Sequence, residues 1–448
     1  MKRFASALVC LLGLSSGAVW AWGNHTLPSY RAFEKMPEVA QAANVTAEPL
    51  EAFLKSEEKT IEALLASQEA WAIANLENYP VRPAALAFSA KPGRSDDARR
   101  FDFLNALRVA PNSRFVLYIQ PDPRTAVAPG PRLPSESVTT LPMLGNASQK
   151  FQPIKAGDMV SPLTVLASAT DEPDYGLDIN LWEDSPSEWG KRYGFGKQPF
   201  GNPVLPFSTQ APFHMSFMHE SSVLYAAAPF IKRTYPRLRS YQYSTLASLA
   251  FRTGHPYWGW RFTGLSLHYL QDLTQPYHAT LAPGDSTLKL LAANALAMVG
   301  MESMKNDMIV LLSNRHLALE KYQNEIIFNS AIAKQDTPVD VALRRSDKDA
   351  SYAEWNEHYL RDVVAAQAVS FGPRLVQTIV SAMPVGFVSN PSFDFGVQEE
   401  GITMVKELAI ANADSRANLD SVVADLMANF GAHSRNAVRG ILKASNQP

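Results

Sequence analysis

Nine histidines are spread along 448 residues, and several stand at spacings that let an imidazole and a carboxylate share one ion. The stretch "HYLQDLTQPYHAT" (268–280) holds His268, Asp272 and His278. Residues four apart on a helix carry β-carbons about 5–6 Å apart, so His268 and Asp272 can reach a common cation. Gln275 precedes Pro276, and a residue before proline is biased away from helical dihedrals. The chain should therefore bend there and let His278 turn toward a neighbouring ion. "NRHLALEKY" repeats the pairing with His316 and Glu320 on the next helix. Two consecutive helices that each present an imidazole and a carboxylate on one face are how helical bundles build multinuclear sites. The same spacing also serves surface or capping hydrogen bonds.

Further donors lie upstream. "QAPFHMSFMHE" offers His214 and His219, either of which also fits a core histidine. "ATDEPDYGLDINLWED" crowds Asp171, Glu172, Asp174, Asp178, Glu183 and Asp184 together, as a solvated acidic turn or as hard ligands for a divalent cation. At the start of the chain Lys2 and Arg3 precede an apolar run from Phe4 to about Leu14, then small residues ending in Val19-Trp20-Ala21. This pattern predicts a secretory signal peptide, 1–21, cleaved after Ala21, and hence an exported protein, secreted or periplasmic. Cleavage would make Trp22 the new N-terminus, with His25 close behind in "WGNHT". A free α-amino group has a pKa near 8, low enough for a cation to displace its proton. Cys10, inside the leader, is the only cysteine, so the exported chain can form no disulfide and must rely on its core or on bound metal.

The elements that must position these groups can be read from periodicity. With 46% hydrophobic and 19% charged residues the chain is globular. Its 41 Lys and Arg nearly balance 43 Asp and Glu, so no overall field attracts nucleic acid. Apolar residues from Glu48 to about Asn78 recur at helical spacing, and Pro80 ends the run. Residues 81 to 212 are rich in Pro, Gly, Ser and Asp, with one expected strand at "RFVLYIQ". Helices are expected over roughly 213–228, 236–252, 256–275, 286–328, 352–382 and 397–443. The fold class is mainly α: a multi-helix bundle with little β, forming one domain over 22–448 with a loop-rich insertion at about 81–212. A separate C-terminal helical region from about 335 is the alternative.

Taken together these segments resemble the zinc-dependent phospholipase C family, whose wider fold includes the S1/P1-type nucleases. The family pattern is a processed N-terminal Trp, a nearby His, an Asp and a His further on, then HxxxDxxxxxH and HxxxE. "ATDEPDYGLD", "YGFGKQPFGNP", "PFHMSFMHE" and "GHPYWGWRF" more narrowly resemble exported bacterial enzymes that prefer phosphatidylcholine. The resemblance covers residues 22 to about 330 in patches. It implies three zinc ions: one on His268, Asp272, His214 and an upstream Asp; one on His278, His316 and Glu320; one on Trp22, His25 and a shared Asp272. The chain departs from the pattern in two places: His25 follows Trp22 unusually closely, and the acidic loop lies unusually far before His214. Asp174, in "PD", is preferred over Asp178 as the ligand, and the resemblance implies that it also serves as general base.

Imidazole and carboxylate donors with almost no sulfur fit zinc, and incomplete protein ligation leaves room for water. The implied reaction is attack of activated water on a glycerophospholipid at a membrane or micelle surface, giving diacylglycerol and a phosphorylated head group. Tyr257, Trp258, Trp260 and Phe262 are either faces for a quaternary ammonium or core. No nucleic acid and no stable protein partner are expected. The competing readings are a nuclease of the same fold, which would tend to carry Asp at position 320, and a non-catalytic lipid-binding protein with structural zinc.

Overall fold

The computed structural model describes residues 23–125, 130–141, 150–201 and 207–446. The expected leader and Trp22 lie outside the described residues. The principal helices are α1 (Thr26–Phe33), α2 (Glu58–Asn75), α3 (Asp96–Leu107), α4 (Pro162–Ala169), α5 (Ala211–His214), α6 (Pro236–Arg252) and α7 (Pro256–Asp272). They continue as α8 (Pro276–Ala279), α9 (Thr287–Met298), α10 (Ser303–Ala333), α11 (Pro338–Arg344), α12 (Ala366–Ala382) and α13 (Ala413–Ser445). Shorter turns connect them. Proline opens α4, α6, α7, α8 and α11, where its missing N–H would have had no helical partner and its fixed φ is already helical.

The fold is mainly α, as expected. Among the described residues β structure amounts to two small antiparallel ladders. β1 (Val45–Thr46) pairs with β4 (Met159–Val160), and β2 (Tyr118–Ile119) pairs with β3 (Gln152–Pro153). The expected strand "RFVLYIQ" is thus only two residues of ladder.

Several expected helices are shorter or divided. The 286–328 span breaks between α9 and α10, where Gly300 adopts φ of 89°, a left-handed value that interrupts a helix. The 213–228 span is α5 followed by a separate helix, Ser222–Ala227, and the 352–382 span becomes helical only at Leu360, beginning as a π-helix.

The insertion is more helical than its composition implied. Ser95 accepts a hydrogen bond from Ala98 N, and Asp96 and Asp97 occupy the first turn of α3, favourable charges at a helix N-terminus. Ser161 caps α4 in the same way.

α7 is the axis of the molecule. Every residue from Tyr257 to Asp272 is buried, and a helix enclosed on all sides belongs to the core rather than the surface. α6, α4 and α13 all pack on it. Leu265 and Leu270 of α7 share one apolar cluster with Leu166 of α4, Leu246 of α6 and Val438 and Ile441 of α13. The aromatics of "YWGWRF" are core: Trp258 packs against Phe53 and Phe262, with ring centroids 6.3 and 5.1 Å away.

The approach of α4 to α7 is set by Gly264. A β-carbon there would stand 2.5 Å from Leu166 O and 2.6 Å from Ala169 Cβ. This close crossing delivers the segment after α4, Thr170 to Asp178, to the C-terminal half of α7. Two buried arginines then hold it. Arg261 of α7 pairs with Glu172, its Nε 3.0 Å from Oε2, and Arg239 of α6 pairs with Asp178 at 2.7 Å.

Gly264→Ala therefore sets two effects against each other. Alanine gains about 1 kcal/mol of helix propensity, but its methyl would meet backbone that cannot swing aside, a cost of about 1–3 kcal/mol. The expected outcome is net destabilisation, read as a lower denaturant midpoint with an unchanged m-value.

Candidate metal centre

α7 ends with Asp272, and the chain bends at Gln275, whose φ of −93° and ψ of 122° are extended. Gln275 Oε1 caps α8 by accepting from Tyr277 N at 2.7 Å. His278 is thereby turned inward. His268 and Asp272, one turn apart, face the same way, and His316 and Glu320 arrive on α10. His214 ends α5. His25 precedes α1, whose first N–H groups are capped from afar: Asp171 Oδ1 accepts from His25 N at 2.8 Å and from Thr26 N at 3.2 Å.

The structure brings five imidazoles and three carboxylates into one buried cluster. It contains three groups of potential ligands, within each of which one donor atom per residue lies within 4.8 Å of the others: His25, His268 and Asp272; Asp174, His214 and His268; His278, His316 and Glu320. Asp272 connects the first two, its Oδ1 3.3 Å from His25 Nε2 and its Oδ2 3.0 Å from His214 Nδ1 and 3.4 Å from His268 Nε2. His268 Nε2 is also 2.9 Å from His214 Nδ1 and 3.6 Å from Asp174 Oδ1. In the third group His278 Nε2 stands 3.0 Å from His316 Nε2, and Glu320 Oε1 is 2.5 Å from His316 Nε2. Donors held about 2.0–2.1 Å from one tetrahedral ion stand about 3.3–3.4 Å apart, so these separations suit ligands that surround an ion.

Three of the rings have their outward nitrogen held by an acceptor. His268 Nδ1 donates to Thr170 O at 2.7 Å, His278 Nδ1 to His214 O at 2.9 Å, and His25 Nδ1 to Gln271 Oε1 at 2.9 Å. A neutral ring so held directs the Nε2 lone pair inward, the usual support of a metal-binding histidine. For His25 that lone pair faces a carboxylate oxygen. His25 Nε2 and Asp272 Oδ1 are both buried and neither has a hydrogen-bond partner. A neutral ring would set two acceptors 3.3 Å apart; a proton on His25, which burial disfavours but Asp272 favours more strongly, or a cation between the two groups relieves the repulsion. The residues present therefore fit a metal.

The electrostatics agree. Burial pushes Asp174 well above the usual carboxylate range; His214 opposes this, while Asp272, Asp171 and Glu320 add to it. Burial likewise pushes Glu320 up to about 8 against the lowering by His278. It holds His268 far below the ordinary imidazole value and His316 down at about 3. Asp272 runs the other way: burial would raise it, but His268, His214 and His25 outweigh burial and keep it ionised.

Asp174 and Asp178 now separate. Asp178 is held by Arg239 and by the Tyr269 hydroxyl, 2.6 Å away, while its Oδ2 stands 3.6 Å from His214 Nε2; Asp174 has no arginine partner among the described residues and lies 3.7 Å from His214 Nδ1 and 3.6 Å from His268 Nε2. Asp171 is committed to capping α1 and to Lys150, 3.3 Å away. The remaining histidines lie apart from the cluster. His219 bonds Arg361 O, His255 pairs with Glu48, His433 sits between Tyr359 and Gln367, and His358 is half-buried beside Glu357. Gln271, Gln275 and Thr170 have partners in the cluster that no spacing rule signals. Trp22 lies outside the described residues. Its neighbour Gly23 packs against α10, where a β-carbon would stand 2.9 Å from Glu320 O.

No family model matches the chain, and no curated protein does. Among solved structures, the alpha toxin from Clostridium absonum is similar over 64% of this chain and 56% of its own, at 12% identity and a TM-score of 0.29.

An ion-free protein should show the strain of Glu320. Its raised value means that the unfolded chain loses this proton first, near 4.5, and the folded chain only near 8. Between those limits the folded state binds more protons, so stability falls as pH rises. Chelator-stripped protein is expected to lose stability across that window, and Glu320→Gln to flatten the slope, both measured by denaturant unfolding at a series of pH values.

Proposed function

We propose that the chain is an exported zinc metallophospholipase C, hydrolysing glycerophospholipids, phosphatidylcholine foremost, to diacylglycerol and a phosphorylated head group. The observation that carries this reading is the buried cluster of His25, Asp174, His214, His268, Asp272, His278, His316 and Glu320, arranged as three ligand groups with Asp272 reaching two of them. Three zinc ions would be held: one by Asp174, His214, His268 and Asp272, one by His278, His316 and Glu320, and one by His25 and Asp272 with the amino terminus of Trp22. Bound zinc supplies a water whose pKa falls from 15.7 to about 7, and positive charge for a phosphodiester.

The protein's own groups do the rest. His316 is 6% exposed, His214 4%, and Asp174 and Glu320 3% each, while His25, His268, Asp272 and His278 are at zero. Substrate would approach past the four that keep some exposure. Asp174, which lacks the arginine that holds Asp178, would take the proton of the attacking water on its carboxylate. Water then attacks phosphorus, the bond from phosphorus to the glycerol oxygen breaks, and that oxygen takes up a proton from solvent to leave as the hydroxyl of diacylglycerol, while Asp174 returns its proton to solvent. Gln275 Nε2, 3.1 Å from Glu320 Oε1, holds that carboxylate in place. Because the aromatics of "YWGWRF" are core, head-group preference would have to come from other residues.

The test is hydrolysis of phosphatidylcholine vesicles beside single-stranded DNA by the processed protein, with zinc per chain and the N-terminal residue measured on the same sample. Diacylglycerol release, a Trp22 terminus and a loss of about 10²–10⁴-fold in turnover for Asp174→Asn are expected. Cleavage of DNA alone would install the nuclease reading, and bound zinc with neither activity would leave a structural one.

A further inference from the structure

We propose that Gln271 is a positioning residue for His25, and that the C-terminal helix α13 reaches the metal centre through it. The proposal rests on the reading above that His25 holds an ion. Gln271 lies on the buried helix α7, next to Asp272, and its carboxamide is fully buried. Its Oε1 accepts from His25 Nδ1 at 2.9 Å, while its Nε2 donates to Ser29 Oγ of α1 at 3.0 Å and to Ser434 Oγ of α13 at 3.2 Å. Ser29 and Ser434 are fully buried as well. The two hydroxyls accept from the amide nitrogen, and the amide oxygen faces the imidazole.

That orientation matters because an imidazole has two nitrogens and only one can face the ligand group. With Nδ1 protonated and bound to Gln271, Nε2 is left as the lone pair beside Asp272. His25 begins the chain's approach to α1, and the ring needs bracing from its own surroundings. His268 lies on it with ring centroids 4.3 Å apart, and Phe430 of α13 lies 6.3 Å away. α13 thus contributes both a ring near His25 and, through Ser434, an anchor for the amide that selects its tautomer. The two other Nδ1 atoms held in this way are bonded by backbone carbonyls, Thr170 O and His214 O, so His25 is the ring whose orientation a side-chain substitution can release.

The experiment uses the processed, full-length protein as wild type, Gln271→Ala, Gln271→Glu and Ser434→Ala. Zinc competition titrations against a chelator report each ion's affinity, and nitrogen-15 NMR of the histidine rings in zinc-stripped protein reports the His25 tautomer. Gln271→Ala should weaken one ion about 10–100-fold, leave the others at wild-type affinity, and convert His25 from an Nδ1–H ring to a mixture of tautomers. Gln271→Glu keeps an oxygen acceptor and should restore both readouts. Ser434→Ala, a milder change that preserves packing, should shift both in the same direction by less than tenfold. An unchanged tautomer and unchanged zinc affinities in Gln271→Ala and Ser434→Ala would overturn the proposal. A wild-type protein that binds no zinc would instead overturn the metal reading, with the tautomer still deciding the part played by Gln271.

Discussion

Three carboxylates, Asp174, Asp272 and Glu320, are buried among five imidazoles, and no arginine or lysine is paired with any of them among the described residues. Removing a carboxylate from water costs several kcal/mol even after the protein relaxes. Elsewhere this chain meets that cost with guanidinium groups: Arg261 for Glu172, Arg239 for Asp178, Arg31 for Asp122. The cluster departs from that practice. Its donors face inward with lone pairs opposed, an arrangement that a divalent cation turns from repulsion into coordination. The surrounding architecture follows from the need to hold these groups together.

Holding them requires segments far apart in sequence to meet on α7. Gly264 lets α4 approach closely enough for the acidic turn to reach His268. Arg239 and Arg261 then hold Asp178 and Glu172, so that the turn has a definite orientation and Asp174, without an arginine of its own, stands beside His214 and His268. On the other side the Gln275–Pro276 bend swings His278 toward α10. α13 closes the arrangement by packing on α6, α7 and α1. The last hundred residues therefore share the core on which the site is built, with Phe430 close to His25.

The parts of the site that were legible in the sequence are those set by local geometry. His268 with Asp272 and His316 with Glu320 are one helical turn apart, and that spacing brings their side chains to one face whatever surrounds them. The bend at Gln275 follows from the ring of Pro276, and proline marks the starts of α6 and α7. The breaks were harder to see. Gly300 divides an apolar run whose periodicity continues across it, and the charged composition of α3 hides a helix whose buried face is mainly Phe103, Leu104 and Leu107.

What the sequence determined by itself was the mainly helical class and the pairing of candidate donors one helical turn apart, because helix periodicity and proline stereochemistry act within a few residues of each other. Which partners each carboxylate of the acidic turn finds, which amide meets His25 Nδ1, and whether the aromatics before His268 line a site or fill the core were decided by tertiary structure. Asp174 and Asp178 are chemically alike and four residues apart, and they differ in that Arg239 and Tyr269, 61 and 91 residues away in the chain, lie against Asp178. Contacts of that kind depend on how whole helices cross, and here the crossing is governed by a glycine that admits backbone where a side chain would not fit.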